Sequence, residues 1–185
     1  MTTETATDSA TTTWNIDPAH SAAEFKVRHM MISHVKGKFA GLKGVLTEHK
    51  IDSTLSAVEA SVDAATVHTG DAQRDGHLKS AEFFDVEKFP TIDFKSIAVH
   101  PKGPAEYEVV GELTIHGITK VETFTVEGPS EPAKDPWGNL RIGLSATTKI
   151  NRKDFGLAWN AALETGGVMV GEEVTITLDV EFIKA

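Results

Sequence analysis

From Val174 to Phe182 the chain alternates without a break. Val174, Ile176, Leu178, Val180 and Phe182 fall on one side, and Thr175, Thr177, Asp179 and Glu181 on the other. Successive side chains of a strand point to opposite faces, so this segment predicts a strand with one dry face and one wet face. The same period returns upstream. It predicts strands over 24–29, 35–48, 54–63, 91–99, 106–116, 120–127 and 139–150. In the first of these, Phe25, Val27 and His29 share a face, with Glu24, Lys26 and Arg28 opposite. Gly37, Gly41 and Gly44 interrupt the second and predict bulges or sharp coiling there.

The connections carry turn chemistry. His116-Gly117-Ile118-Thr119 predicts a tight hairpin, 101–104 a loop, and 128–138 a longer one. Asp71 to Ser80 breaks the alternation and predicts a short helix, and Asn151 can cap a helical turn reaching Phe155. No long amphipathic helix is present to cover the dry faces. The expected fold is therefore all-β, an extended eight-stranded antiparallel barrel with one or two short helical segments. Strands of ten to fourteen residues would extend roughly 35–45 Å. A barrel of this size holds side chains or one small ligand inside, and an elongated one suits a long, thin guest. The pattern alone points to a lipid carrier.

Composition narrows this further. The 185 residues are 40% hydrophobic and 24% charged, as expected of one globular domain. A net charge of −9 repels phosphate backbones and anionic membrane surfaces, and argues against nucleic acid as a partner. The chain has no cysteine, which excludes disulfides, thiolate catalysis and Cys-based zinc sites. Residues 1–13 are rich in Thr, Ala and Ser and lack the basic and apolar regions of a signal peptide. They are expected to form a disordered tail on a domain spanning 14–185, in a cytoplasmic protein. No run approaches the roughly 18 apolar residues of a membrane span.

Specific residue combinations appear between the strands. They include Trp14-x-Ile16-Asp17-x-x-His20-Ser21, Phe25-x-Val27-x-His29-Met30 and Val35-x-Gly37-x-Phe39. Further on are Arg74-Asp75-x-His77-Leu78, Phe83-Phe84-Asp85-Val86 and Phe89-Pro90-x-Ile92-x-Phe94. Gly111-x-Leu113-Thr114-Ile115-x-Gly117 and Asn151-Arg152-x-Asp154-Phe155-Gly156 complete the set. In this order the chain resembles the YceI-like family of lipocalin-like, polyisoprenoid-binding proteins, from about Trp14 to the C-terminus. The resemblance implies an extended eight-stranded barrel whose apolar bore takes a long-chain polyisoprenoid, a quinone-type molecule or a similar lipid. Many members begin with an export signal; none is read in residues 1–13, so a periplasmic or secreted role is not expected to carry over.

The residues expected to line such a bore are Phe25, Val27, His29, Phe39, Phe94, Leu113, Ile115, Phe124, Ile142 and Leu144. Each has a plainer reading as packed core. Met30 begins a Met30-Met31-Ile32 run that would form a lid at the mouth or a buried plug. Arg74 and His77 would face a ligand phosphate or carbonyl, or, with an Arg74–Asp75 pair, brace the barrel end. Arg152 and Asp154 lean towards bracing.

An alternative is a barrel enzyme, or a haem- or metal-dependent protein, with His20, His29 and His77 converging at the barrel mouth. No pair has zincin spacing, and no nucleophile elbow or P-loop is present. The expectation is a binding protein with no catalytic residue, metal or cofactor. A third reading is a stress-related interaction protein with an incidental cavity. Transient membrane contact and a homodimer remain open as partner states.

Overall fold

The structure, a computed structural model, describes residues 10–185. Its strands are β1 (Thr11–Ile16), β2 (Ala22–His29), β3 (Ser33–Phe39), β4 (Lys43–His49), β5 (Ala57–Asp63) and β6 (Thr91–Gly103). They continue with β7 (Glu106–Ile115), β8 (Ile118–Glu127), β9 (Ala133–Lys134), β10 (Leu140–Asn151) and β11 (Val170–Lys184). One α-helix, α1 (Ala72–Lys79), lies between β5 and β6.

The strands make an eight-stranded antiparallel barrel because two of its walls are each built from two strands. β1 and β2 are one wall, bent at a 3-10 turn over Pro18–His20, and both lie along β11. β3 and β4 are the next, broken at 40–42, where Gly41 takes φ 67°. The ladder then runs through β5, β6, β7, β8 and β10, and closes where Arg141↔Ile183 to Asn151↔Glu173 pair β10 with β11.

Gly37 does different work from Gly41. A Cβ there would stand 2.2 Å from Phe25 Cζ, so the missing side chain leaves room for the ring to lie across the next strand. The predicted tight hairpin is present, with His116 and Gly117 at φ 54° and 72° between β7 and β8. Both positive φ values fit a two-residue turn whose twist matches the flanking strands.

Three expectations change. The tail expected over 1–13 falls partly outside the described residues, but Thr11, Thr12 and Thr13 belong to β1 and pair with His49, Glu48 and Thr47. Threonine is polar enough to read as tail and β-branched enough to build a strand. The loop expected at 101–104 is shorter, because β6 continues to Gly103 with Pro101 opposite Tyr107. β5 pairs with β6 only as far as Lys95, so the absent N–H of Pro101 interrupts no ladder on that side. β5 starts at Ala57 rather than 54, because Asp52 accepts from Thr54 N at 3.0 Å and caps a 3-10 turn over Ser53–Leu55.

β3 ends the sheet, and the segment between β5 and β6 lies beside its free edge. Lys38 and His68 exchange reciprocal backbone bonds of 2.9 Å there, and Thr66 Oγ1 accepts from Ala40 N. Above that bridge the wall is completed by side chains, with Phe39 packed edge-on against Phe84. No helix among the described residues is long and apolar enough to cross a membrane.

Candidate functional site

The interior is not filled. It holds an apolar cavity of about 520 Å³ towards the α1 end and a second of about 400 Å³ towards the other. Both lie in the range of small-molecule sites, roughly 300–1,000 Å³. Leu42, Ala60, Phe94, Phe124 and Leu178 face both, so the two are chambers of one bore. β11 shows this continuity. Val174 and Ile176 line the first chamber, Leu178 stands at the junction, and Val180 and Phe182 line the second. At about 3.4 Å per residue, that one alternating face lines roughly 27 Å of bore.

Most of the expected lining residues meet at the first chamber. Phe25, Val27 and His29 reach it from β2, and Phe39 from β3. Phe94, Leu113, Ile115 and Phe124 reach it from β6, β7 and β8. Leu144 lines the second chamber instead. Ile142 lines neither; it is 3% exposed in the packed cluster of Trp14, Val180 and Phe182. Met30 also stands outside. It turns the chain at φ 50° and is 41% exposed, and Met31 and Ile32 are more so, so this run is not a buried plug.

Arg74 and His77 line the first chamber from α1. Asp71 caps that helix, accepting from Arg74 N at 2.9 Å. The expected Arg74–Asp75 pair does not form, because both side chains grip Thr69. Arg74 Nε donates to Thr69 Oγ1 at 2.7 Å and Nη2 to its carbonyl at 2.9 Å, while Asp75 Oδ1 accepts from Thr69 N and Oγ1. The Thr69 hydroxyl bond holds the Asp75 carboxyl below its ordinary range. His77 is hydrogen-bonded to Glu82 and packs edge-on against Phe83 and Trp159, at ring distances of 5.0 and 4.7 Å.

Arg152 is 3% exposed and is a tie within the wall. Its Nε donates to Gly171 O at 2.7 Å, Nη1 to Leu157 O and Trp159 O, and Nη2 to Val170 O. It therefore joins the segment bearing Trp159 to the start of β11. Burial pushes its pKa down, and the nearby Glu172 charge opposes that shift.

The three histidines do not converge. His29 pairs with Val170, whereas Ser21, next to His20, bonds Glu181. Those β11 positions are roughly 35 Å apart along the strand. His20 Nδ1 lies 2.8 Å from Asp17 Oδ2, near Glu181. That group has metal-ligand chemistry, but a cation already sits in it. Arg141 Nη1 contacts Asp17 at 2.7 Å and Glu181 at 2.5 Å, and its Nε contacts Asp135 at 2.7 Å. The Arg141 hydrogen bond holds the Asp17 pKa at about 2, with a smaller contribution from His20. Asp135 is lowered also, again chiefly by Arg141. The cluster pins the β1–β2 bend to β10 and β11.

The family model of the YceI-like domain matches residues 14–182. The chain belongs to the YceI-like family. A UPF0312 protein of Staphylococcus aureus is 42% identical over 175 residues, covering 92% of this chain and 97% of that one. Burkholderia cenocepacia BcnA has a similar fold, with TM-score 0.76 and 22% identity over 90% of this chain and 98% of its own. So does a polyisoprenoid binding domain from Saccharophagus degradans, with TM-score 0.68 and 16% identity over 93% and 98%.

Several wall residues of this YceI-like domain escaped the sequence reading. Leu42 directly follows the Gly41 bend, and Trp159 and Met169 lie in the irregular segment between β10 and β11. Trp159 and Met169 belong to no alternating run, and Leu42 falls in the glycine-broken middle of the predicted 35–48 strand. Phe83 and Phe84 stand in a recognisable motif, but nothing in their spacing places them on the cavity wall.

Proposed function

We propose that the protein binds a long-chain polyisoprenoid or quinone-type lipid in its two-chambered bore, and so sequesters or carries it. One observation carries this reading: a single alternating face of β11 lines both chambers without a polar interruption. A continuous apolar groove of that length fits an extended hydrocarbon chain better than a compact ligand. The similarity to a polyisoprenoid binding domain adds support through the fold.

Sequestration needs no chemistry. Burial of hydrocarbon contributes about 0.8 kcal/mol per CH₂. For several tens of carbons that gross figure exceeds the practical affinity ceiling of about 18–21 kcal/mol. The meaningful comparison is therefore between the bore and a bilayer, two apolar environments of similar quality. A guest held this way exchanges with membranes instead of remaining trapped. His29 and His77 at the first chamber act as polar wall residues in this reading, and no catalytic, metal or cofactor role is assigned to them.

The test is mass spectrometry of the organic extract from natively purified protein, followed by add-back. A polyisoprenoid or quinone-type lipid in the extract, and its uptake by delipidated protein, is the expected result. Delipidated protein that stays folded by circular dichroism yet takes up no long-chain isoprenoid overturns the proposal.

A further inference from the structure

We propose that the β2–β3 hairpin docks on anionic lipid membranes and sets the first chamber against the bilayer. The hairpin tip presents apolar side chains to solvent, with Met31 51% and Ile32 79% exposed. Val168, 36% exposed, lies on the adjoining segment, which Met30 N joins through a 2.7 Å bond to Met169 O. Met30 and Met31 both adopt positive φ, where glycine or asparagine is the low-energy choice. Larger apolar side chains occupy strained positions there, and they point outwards.

The chamber begins one residue from this tip. His29 and Met169 are wall residues of it, and exposed Asp71 and Gln73 of the α1 region lie on its rim. An apolar tip seated among lipid headgroups thus brings the chamber to the membrane surface.

The hairpin's outer face supplies the second attraction. Lys26 stands directly opposite Lys36, both exposed, and exposed Arg28 lies two residues further along β2. Like charges facing each other across a ladder repel. Of the nearby acids, Glu172 pairs with Lys153 and Glu173 with Lys149, while Glu24 on the same face of β2 stands opposite Lys38 and leaves the Lys26–Lys36 pair facing each other. Lysines on the free edge of β3 also guard against strand pairing. That does not account for Lys26, because β2 is paired on both sides; Arg28 also ties the turn, donating from Nη2 to Met31 O at 2.9 Å. An anionic surface relieves the repulsion.

The net charge of −9 does not forbid this contact. At physiological salt, charges more than about 8 Å away are largely screened, so a docked hairpin is governed by its own cations. An apolar insertion plus a basic patch is the two-part signal that gives reversible surface binding. That docking serves lipid exchange rests on the proposed function; the docking itself does not.

The test is co-sedimentation of the full chain with phosphatidylcholine vesicles, with and without a third of phosphatidylglycerol. The wild type is expected to prefer the anionic vesicles, and to lose that preference as salt is raised. Each cation removed should weaken binding about fivefold, so Lys26→Gln with Lys36→Gln should weaken it about 25-fold. Met31→Ser with Ile32→Ser should weaken binding while leaving its salt dependence unchanged. Farnesol uptake without vesicles, followed by the change in tryptophan fluorescence (Trp159 lines the first chamber), reports the bore separately and should be equal in all variants. Equal binding of the wild type to both vesicle types overturns the proposal, as does unchanged binding of folded Lys26/Lys36 variants. Vesicle binding by delipidated protein that takes up neither farnesol nor a long-chain prenol leaves docking standing and removes the lipid-bore reading.

Discussion

Phe94 and Phe124 meet edge to face, with ring centroids 5.0 Å apart and planes at 73°, where the two chambers join. The pair stands at that junction together with Leu42, Ala60 and Leu178, and its two rings are the bulkiest side chains there. Gly111 makes the position available, because a Cβ there would stand 2.3 Å from Phe94 Cζ.

Phe124→Ala should therefore do two things. Truncating a side chain that is 5% exposed costs about 3–5 kcal/mol, or about 10 °C in melting temperature for a chain of this size. The widened junction should also shift the preferred guest towards bulkier chains. Thermal melts and competition among prenols of different length check the two effects separately.

The wall was legible because period two needs no tertiary information. The alternation of β2 and β11 names the inward residues directly, and those positions do face the bore. The junction at Phe94 and Phe124 was not legible, since it depends on how two rings from different strands meet in space. β1 was hidden by its threonines, and the wall segment around Trp159 by the absence of any period. The histidines misled for a geometric reason. His20 and His29 look close in sequence, yet the extended β2 places them at its two opposite ends.

Arg141 gives a prediction with a pH signature. The Asp17 carboxyl has its pKa lowered from 3.8 to about 2, so the stabilisation is complete above the unfolded value and lost as pH falls through the folded one. Arg141→Met leaves Asp17 and Asp135 without their cation and should lower the melting temperature by about 10 °C at neutral pH. The gap between wild type and variant should shrink from pH 4 downwards and close only below pH 2, since Asp135 is held low by the same cation. A gap that stays constant over that window would show that Arg141 acts through packing alone.

Arg152→Lys is expected to fail as a conservative change. One ammonium cannot reach the carbonyls of Leu157, Trp159, Val170 and Gly171 together, as the planar guanidinium does. The segment carrying Trp159 should loosen. Faster amide exchange over residues 157–160 and a red-shifted tryptophan emission are the measurements, with thermal melting as the control for global unfolding.

Truncation distinguishes the strand from what precedes it. Removing residues 1–13 deletes the Thr11–Thr13 half of β1 and its pairing with β4, and exposes the Trp14 end of the core. That deletion should lower the melting temperature by several degrees. Removing 1–9 leaves β1 whole, as well as the bond from Lys50 N to Ala10 O, and should cost less. Equal melting temperatures for the two truncations would mean that the first half of β1 contributes nothing.

The register of β2 can be read from two neighbouring positions. Val27 lines the first chamber, while Lys26 is exposed on the outer face. Val27→Arg places an unpaired cation in an apolar wall, where it is strongly disfavoured unless it finds a partner. Farnesol uptake from solution should fall at least tenfold, and the melting temperature should fall with it. Lys26→Ala changes only the wet face and should leave that uptake unaltered when no membrane is present. The contrast tests the site at the level of one residue. If the Lys26 variant is the one that loses the guest, then the dry face of β2 is not where the guest binds, and Phe25, Val27 and His29 cease to be its contacts.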